Sequence, residues 1–381
     1  MRLRTRYVLA IALLGVVALV LAACEEPPEE EVEPDPDPEE EVEEEPEPDP
    51  DEEVEEEPDE EVAEEDFLAC QITDVGGVDD RSFNQTVWEG FQQAEEDFGI
   101  EIAVLESETE ADFDPNIRAM IDRGCDIIVT VGFLLGDATE QAAIENPDQK
   151  FAIVDFMYED ETYDNLREII FDTDEAGFLA GYVSAGTTET GIVGTYGGIN
   201  IPTVSIFMDG YLAGVEYYND EHGTDVVVEG WDGEDGLFTG DFESQDEGRR
   251  VTDSLLEQGA DIIMPVAGPV GLGTATALED FGEGLMIWVD TDGYVSVPQF
   301  SDLMLTSVEK RMDVATYDVI EETLEDEFEG GLYVGTLENE GVGIAPFHDN
   351  EDVVPDEVAD ALDDLRQGII DGEISVDPAD Y

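Results

Sequence analysis

The chain has 381 residues, with 102 Asp and Glu against 13 Lys and Arg and a formal net charge of −89. So acidic a protein excludes nucleic-acid binding, which needs clustered Lys and Arg against phosphates, and it disfavours acidic ligands. The charge predicts solubility in concentrated salt, where screening suppresses self-repulsion, and therefore a halophilic protein in a hypersaline exterior.

At the N-terminus Arg2, Arg4 and Arg6 precede an apolar run from Tyr7 to Val20, followed by Leu21-Ala22-Ala23-Cys24. That order predicts a lipoprotein signal peptide over 1–23, with Cys24 left as the lipidated N-terminus after cleavage. An uncleaved signal anchor is the competing reading. Residues 24–66 continue almost entirely as Glu, Asp, Pro and Val, and hold 28 of the 102 acidic residues. Such a segment cannot bury enough apolar area to offset its ordering entropy, so a disordered acidic stalk is expected. The anticipated location is extracytoplasmic, on a lipid anchor in the cell membrane.

After Asp66 short β-branched runs alternate with amphipathic stretches, the pattern of parallel sheets covered by helices. Strands are predicted at Phe67–Thr73, Ile100–Leu105, Asp126–Val131 and Phe151–Asp155, with helices at Ser82–Phe98, Pro115–Arg123 and Asp137–Asn146. A second set follows, with strands at Gly191–Gly194, Val226–Glu229, Asp261–Val266 and Leu285–Asp290. Its helices fall near Glu175–Gly186, Thr203–Asn219, Glu243–Gln258 and Gly271–Phe281. Two such series exceed one domain's usual size. Two doubly wound lobes are therefore expected, each turning the carboxyl ends of its strands to a shared cleft. Cys70 and Cys125 fall in apolar stretches that should form neighbouring strands; a bridge between them and a pair of buried free thiols are both open, and free thiols are the expected outcome.

The first strand runs into Thr73-Asp74-Val75-Gly76-Gly77-Val78-Asp79-Asp80-Arg81-Ser82-Phe83-Asn84-Gln85. The glycines suit a tight loop and Ser82 a helix N-cap. Without a Gly-x-Gly-x-x-Gly spacing or a Lys, and with carboxylates beside it, the loop does not suit a phosphate. Carboxylate acceptors, an amide and a flat ring suit a neutral, hydroxyl-rich or heteroaromatic ligand.

With Trp88-Glu89-Gly90 following, this loop resembles the basic membrane protein family of ABC-transporter binding lipoproteins, of the purine nucleoside-binding type. The resemblance extends through Val131-Gly132-Phe133, Phe151-Ala152-Ile153-Val154-Asp155, Phe178-Leu179-Ala180-Gly181-Tyr182, Gly194-Thr195-Tyr196-Gly197-Gly198, Phe207 with Gly210-Tyr211, Ala267-Gly268-Pro269-Val270-Gly271 and Thr306-Ser307-Val308-Glu309-Lys310-Arg311. It implies a type I periplasmic-binding-protein fold, two doubly wound lobes joined by a hinge with three crossings. The expected lobes are 67–171 plus about 292–328, and 172–291 plus about 329–381. Carried over by position, Asp74 and Asn84 are expected to hydrogen-bond a base, Phe83 and Phe207 to stack on it, and Asp290, Lys310 and the backbone near Gly268 to hold a ribose. Asp155, at a strand end, and Asp79 complete the expected ligand-binding set. One departure stands out: Gly293 occupies a position where the family carries Gln.

The implied function is capture of purine nucleosides for an ABC permease and ATPase, by a monomer with no cofactor or metal. A surface receptor for another small neutral ligand without transport is one alternative. A nucleoside-processing enzyme is another, although His222 and His348 are the only histidines and neither sits in a nucleophile–base pattern. A transcriptional regulator on the same fold is excluded by the signal sequence and the lack of a basic helix-turn-helix.

Overall fold

A computed structural model describes residues 67–158 and 162–381; the expected signal peptide, Cys24 and the stalk lie outside the described residues. The first βα series is β1 (Leu68–Val75), α1 (Phe83–Phe98), β2 (Glu101–Ser107), α2 (Phe113–Arg123), β3 (Ile127–Val131), α3 (Gly136–Glu145), β4 (Lys150–Val154) and β5 (Leu166–Phe171). The second is α4 (Thr173–Thr187), β6 (Ile192–Gly197), α5 (Pro202–His222), β7 (Val227–Glu229), α6 (Gln245–Gln258), β8 (Ile262–Val266), α7 (Gly271–Phe281), β9 (Leu285–Asp290), α8 (Gly293–Ser296) and β10 (Met304–Lys310). The chain then adds α9 (Met312–Leu324), β11 (Gly331–Gly335), β12 (Val342–Ile344) and α10 (Asp356–Ile370).

These strands form two sheets with orders β11-β5-β4-β3-β1-β2 and β12-β10-β9-β8-β6-β7. Every pairing is parallel except β10 with β12. The two orders match position for position, so β4 and β9 are counterparts, as are β1 and β6. The central strands Ile127–Val131 and Ile262–Val266 are buried along their whole length, as a sheet covered on both faces requires. Helix α1 turns Val87, Phe91 and Ala94 inward, at a spacing that puts them on one face, while α4 and α5 pack as a pair in the second lobe.

The expected division of the chain needs correction at two places. Residues 292–310 belong to the second lobe, because β10 pairs in parallel with β9. Strand β11 belongs to the first, beside β5. The chain therefore crosses between lobes at Asp172, at Arg311 and over 336–341, and the crossings bond to one another: Asp172 N donates to Gly335 O and Arg311 N to Gly341 O, each at 2.9 Å.

Cys70 in β1 and Cys125 ahead of β3 form a disulfide with Cα atoms 6.0 Å apart, which overturns the expectation of two free thiols. Cys125 lies in the turn that closes α2, where its N–H donates to Met120 O, and that turn rather than an extended lead into β3 brings it within bridging reach of Cys70.

Candidate functional site

The carboxyl ends of β1, β3, β4, β8, β9 and β10 converge on one interlobe cavity with an empty volume, mouth included, of about 610 Å³. Its walls include Asp74, Phe83, Asn84 and Asp155 from the first lobe and Phe207, Gly268, Asp290 and Lys310 from the second. Eight of the nine residues expected at the site thus share one space.

Asp79 is the ninth, and it is exposed and absent from the cavity wall. Its neighbour Asp80 holds the inward place, because that carboxylate caps α1. Asp80 Oδ1 accepts from the N–H groups of Ser82 and Gln85 at 3.0 Å, and Oδ2 accepts from Asn84 N at 2.8 Å and Asn84 Nδ2 at 3.1 Å. A carboxylate at a helix N-terminus satisfies otherwise orphaned donors and meets the positive end of the helix dipole. The expected cap, Ser82, makes no capping bond. Its hydroxyl reaches the other lobe instead, donating to Asp290 Oδ2 at 2.6 Å.

Asp74, next to last in β1, accepts from Asn84 Nδ2 at 2.9 Å. Its other oxygen lies against Gly132, where φ is +113° and an added Cβ would come within 2.6 Å of Asp74 Oδ2; a side chain at 132 would thus displace the carboxyl. Asn84 Oδ1 is buried with no partner among the described residues.

From the second lobe Lys310, 2 % exposed, donates to Asp155 Oδ2 at 2.6 Å and lies 4.0 Å from Asp290 Oδ1. Asp155 and Asp290 follow or end the counterpart strands β4 and β9, and both adopt left-handed backbone, φ +65° and +74°. Aspartate tolerates that region better than most residues, and such conformations concentrate at functional sites. The Lys310 ammonium also stands 4.9 Å from the Phe83 ring centre and 5.6 Å from that of Phe207. Phe83 is half-buried and Phe207 nearly fully so. The two rings approach from opposite lobes, as expected, with the ammonium near both.

Four carboxyls face one ammonium in this cavity, and the electrostatics follow. Burial pushes Asp74 up to about 8 against the opposing Asn84 hydrogen bond. Burial likewise lifts Asp80 to about 6, although three backbone N–H groups favour its charge. Asp155 and Asp290 are also raised by burial, with Lys310 acting in the opposite direction. At neutral pH Asp74 is therefore mainly a carboxylic acid that can donate, and Lys310 is already engaged by carboxylates. An anion would find no free cation on this wall.

Sequence reasoning missed Asp80, the bridging role of Ser82, and two aromatic lining residues, Phe133 and Phe242. Phe133 follows the glycine after β3 and could have been found from that strand-end position; Phe242 lies in a loop with no comparable signal. Gly293 is buried under Trp288, where an added Cβ would lie 2.5 Å from the Trp288 Cβ and 3.1 Å from Met304 Sδ. A glutamine at 293 would have no room in this packing.

A protein-family model described as ABC transporter substrate-binding protein PnrA-like (Bmp) matches residues 67–380. The chain is 32% identical over 332 residues to the CD4+ T-cell-stimulating antigen of Listeria innocua, covering 82% of this chain and 89% of that one. It is 30% identical over 329 residues to the ABC transporter nucleoside-binding protein BmpA of Lactococcus lactis, with the same coverage of 82% and 89%. Among solved structures, an ABC transporter solute-binding protein from Aeropyrum pernix superposes with a TM-score of 0.74 at 27% identity, over 81% of this chain and 92% of that one.

Proposed function

This chain belongs to the Bmp family of PnrA-like ABC transporter substrate-binding proteins, and from that premise we propose that it captures purine nucleosides in the interlobe cavity, reversibly and without chemistry. The observation that carries the reading is the Asp74–Asn84 pair: a protonated carboxyl donor beside an unpartnered amide carbonyl complements the donor and acceptor groups on the edge of a purine. Phe83 and Phe207 supply rings for the base. The sugar hydroxyls then fall to the remaining polar groups, Asp155, Asp290 and Lys310. A phosphate in their midst would meet carboxylates and an already paired ammonium, so nucleotides are rejected.

On this reading the protein acts as a monomer. In this reading Cys24 carries the lipid, the acidic stalk spans the gap to the folded part, and the loaded protein delivers to a permease driven by an ATPase. The test is calorimetry in molar salt with inosine, guanosine and adenosine and their 5′-monophosphates. Binding of at least one nucleoside with micromolar or tighter affinity is expected, about 8 kcal/mol or more, with the monophosphates at least 100-fold weaker. Affinity no tighter than millimolar for every nucleoside rejects the ligand class. Appearance of free base rejects the binding-only reading.

A further inference from the structure

A second compartment lies beside the first on the interlobe cleft, with an empty volume, mouth included, of about 1400 Å³. The two share Phe133, Asp155, Thr203 and Lys310, so the Lys310–Asp155 ion pair stands in the wall between them. Beyond that pair the lining changes character. Phe133, Phe156, Met157, Tyr158, Phe171 and Ile206 make it chiefly apolar. The Phe133 and Phe156 rings are 5.1 Å apart, Phe156 and Tyr158 4.8 Å, and the Tyr158 hydroxyl is tied to Gly136 O at 2.8 Å. This aromatic row is held in place on one wall. Thr173, also in the lining and 1 % exposed, has a hydroxyl with no partner among the described residues.

We propose that this compartment is a subsite for an apolar thioether substituent carried on the sugar of the bound nucleoside. The inference rests on the nucleoside reading and extends it. A base held at Asp74 and Asn84 directs its sugar to Lys310 and Asp155, the residues that border both spaces. A group projecting from the sugar therefore enters the second compartment. Sulfur and methyl or aryl carbon suit aromatic rings and a methionine, whereas a phosphate would meet the Glu140 and Asp172 carboxylates that also line the space.

The experiment compares adenosine, inosine and guanosine each with its 5′-deoxy and 5′-methylthio forms by calorimetry in molar salt. For whichever nucleoside binds, the methylthio form is expected to bind about tenfold more tightly than the 5′-deoxy form, the scale of a small apolar group entering a fitting pocket. Phe156→Asn should reduce that preference below threefold while the parent nucleoside stays within threefold. Met157→Asn, at a position 43 % exposed and so safe for folding, should do the same. A methylthio form that binds no better than the 5′-deoxy form overturns the subsite, as does a preference that survives both substitutions. Failure of all three parent nucleosides to bind rejects the nucleoside reading itself, and the subsite with it.

Discussion

Lys310 of the second lobe and Asp155 of the first form a buried ion pair across the cleft, Nζ to Oδ2 2.6 Å, in the same place where two aromatic rings from opposite lobes approach the ammonium. One side chain thereby neutralises part of a four-carboxyl cavity and joins the two lobes. Removing one partner of a buried pair leaves an uncompensated charge and costs about 3–5 kcal/mol. Lys310→Met should lower the melt accordingly and abolish measurable nucleoside binding. Adding Asp155→Asn to that variant should recover part of the stability, because the two residues act as a unit. An unchanged melt in Lys310→Met would show that the pair contributes nothing.

Asp74 makes stability depend on pH in a defined sense. Its carboxyl titrates from the ordinary 3.8 up to about 8 in the folded chain because burial disfavours its charge. Between those values the unfolded chain ionises the group while the folded one keeps its proton, so the folded state binds more protons and stability falls as pH rises through this window. Asp74→Asn removes the effect. Asp80, Asp155 and Asp290 remain in both proteins, so the informative quantity is the difference between the two melting profiles. That difference should move in favour of the variant from pH 4 to 8 and then level off. A constant difference across the window would mean that Asp74 titrates normally.

Phe83 separates packing from stacking. It is half-buried and flanks the cavity, so truncation should cost less than the roughly 3–5 kcal/mol of a fully buried phenylalanine. Loss of a stacked base is worth about 1–3 kcal/mol, which converts to roughly ten- to a hundredfold in affinity. Phe83→Ala is therefore expected to weaken nucleoside binding by that factor with a small change in melt. Phe207→Ala, at a site 2 % exposed, should lower both. Equal affinity of Phe83→Ala and the parent protein would remove the stacking role.

Salt should stabilise the folded chain. Residues 67–381 carry 74 of the 102 acidic residues, and several of the ion pairs that do form are solvent-exposed, such as Arg250–Glu247, and so contribute little. Screening of the remaining repulsion should raise the melting temperature substantially from dilute buffer to molar salt. A flat profile would show that the carboxylates are compensated by other means.

The sequence made the strand-end loops legible, because glycines, strand termini and carboxylates fall together at Asp74, Asp155 and Asp290. It could not distinguish Asp79 from Asp80. Which of two adjacent carboxyls turns inward depends on the backbone entering α1, and only one can reach the three N–H groups that Asp80 accepts. The disulfide was hidden for a similar reason: a half-cystine and a buried thiol both sit in apolar stretches, and the turn that carries Cys125 from α2 toward β3 decides between them. The sheet that receives Met304–Lys310 was also unreadable, since an apolar run does not encode its neighbour. Gly293, read as a lost amide, is a packing requirement of Trp288.

The three crossings bear on how the lobes can move. Tied by backbone hydrogen bonds at Asp172–Gly335 and Arg311–Gly341, they act as a short strap, and bending confined to such a strap is rotation about a nearby axis. Lys310 is one residue from the strap, so its ammonium sweeps only a small arc as the lobes part. Arg81 and Ser296, bonded across the cleft from guanidinium to carbonyl at 3.3 Å, connect to the strap only through whole strands and helices. A pair of fluorescent or spin probes at those two positions would act as the long hand of this clock, registering opening that a probe beside Lys310 would miss.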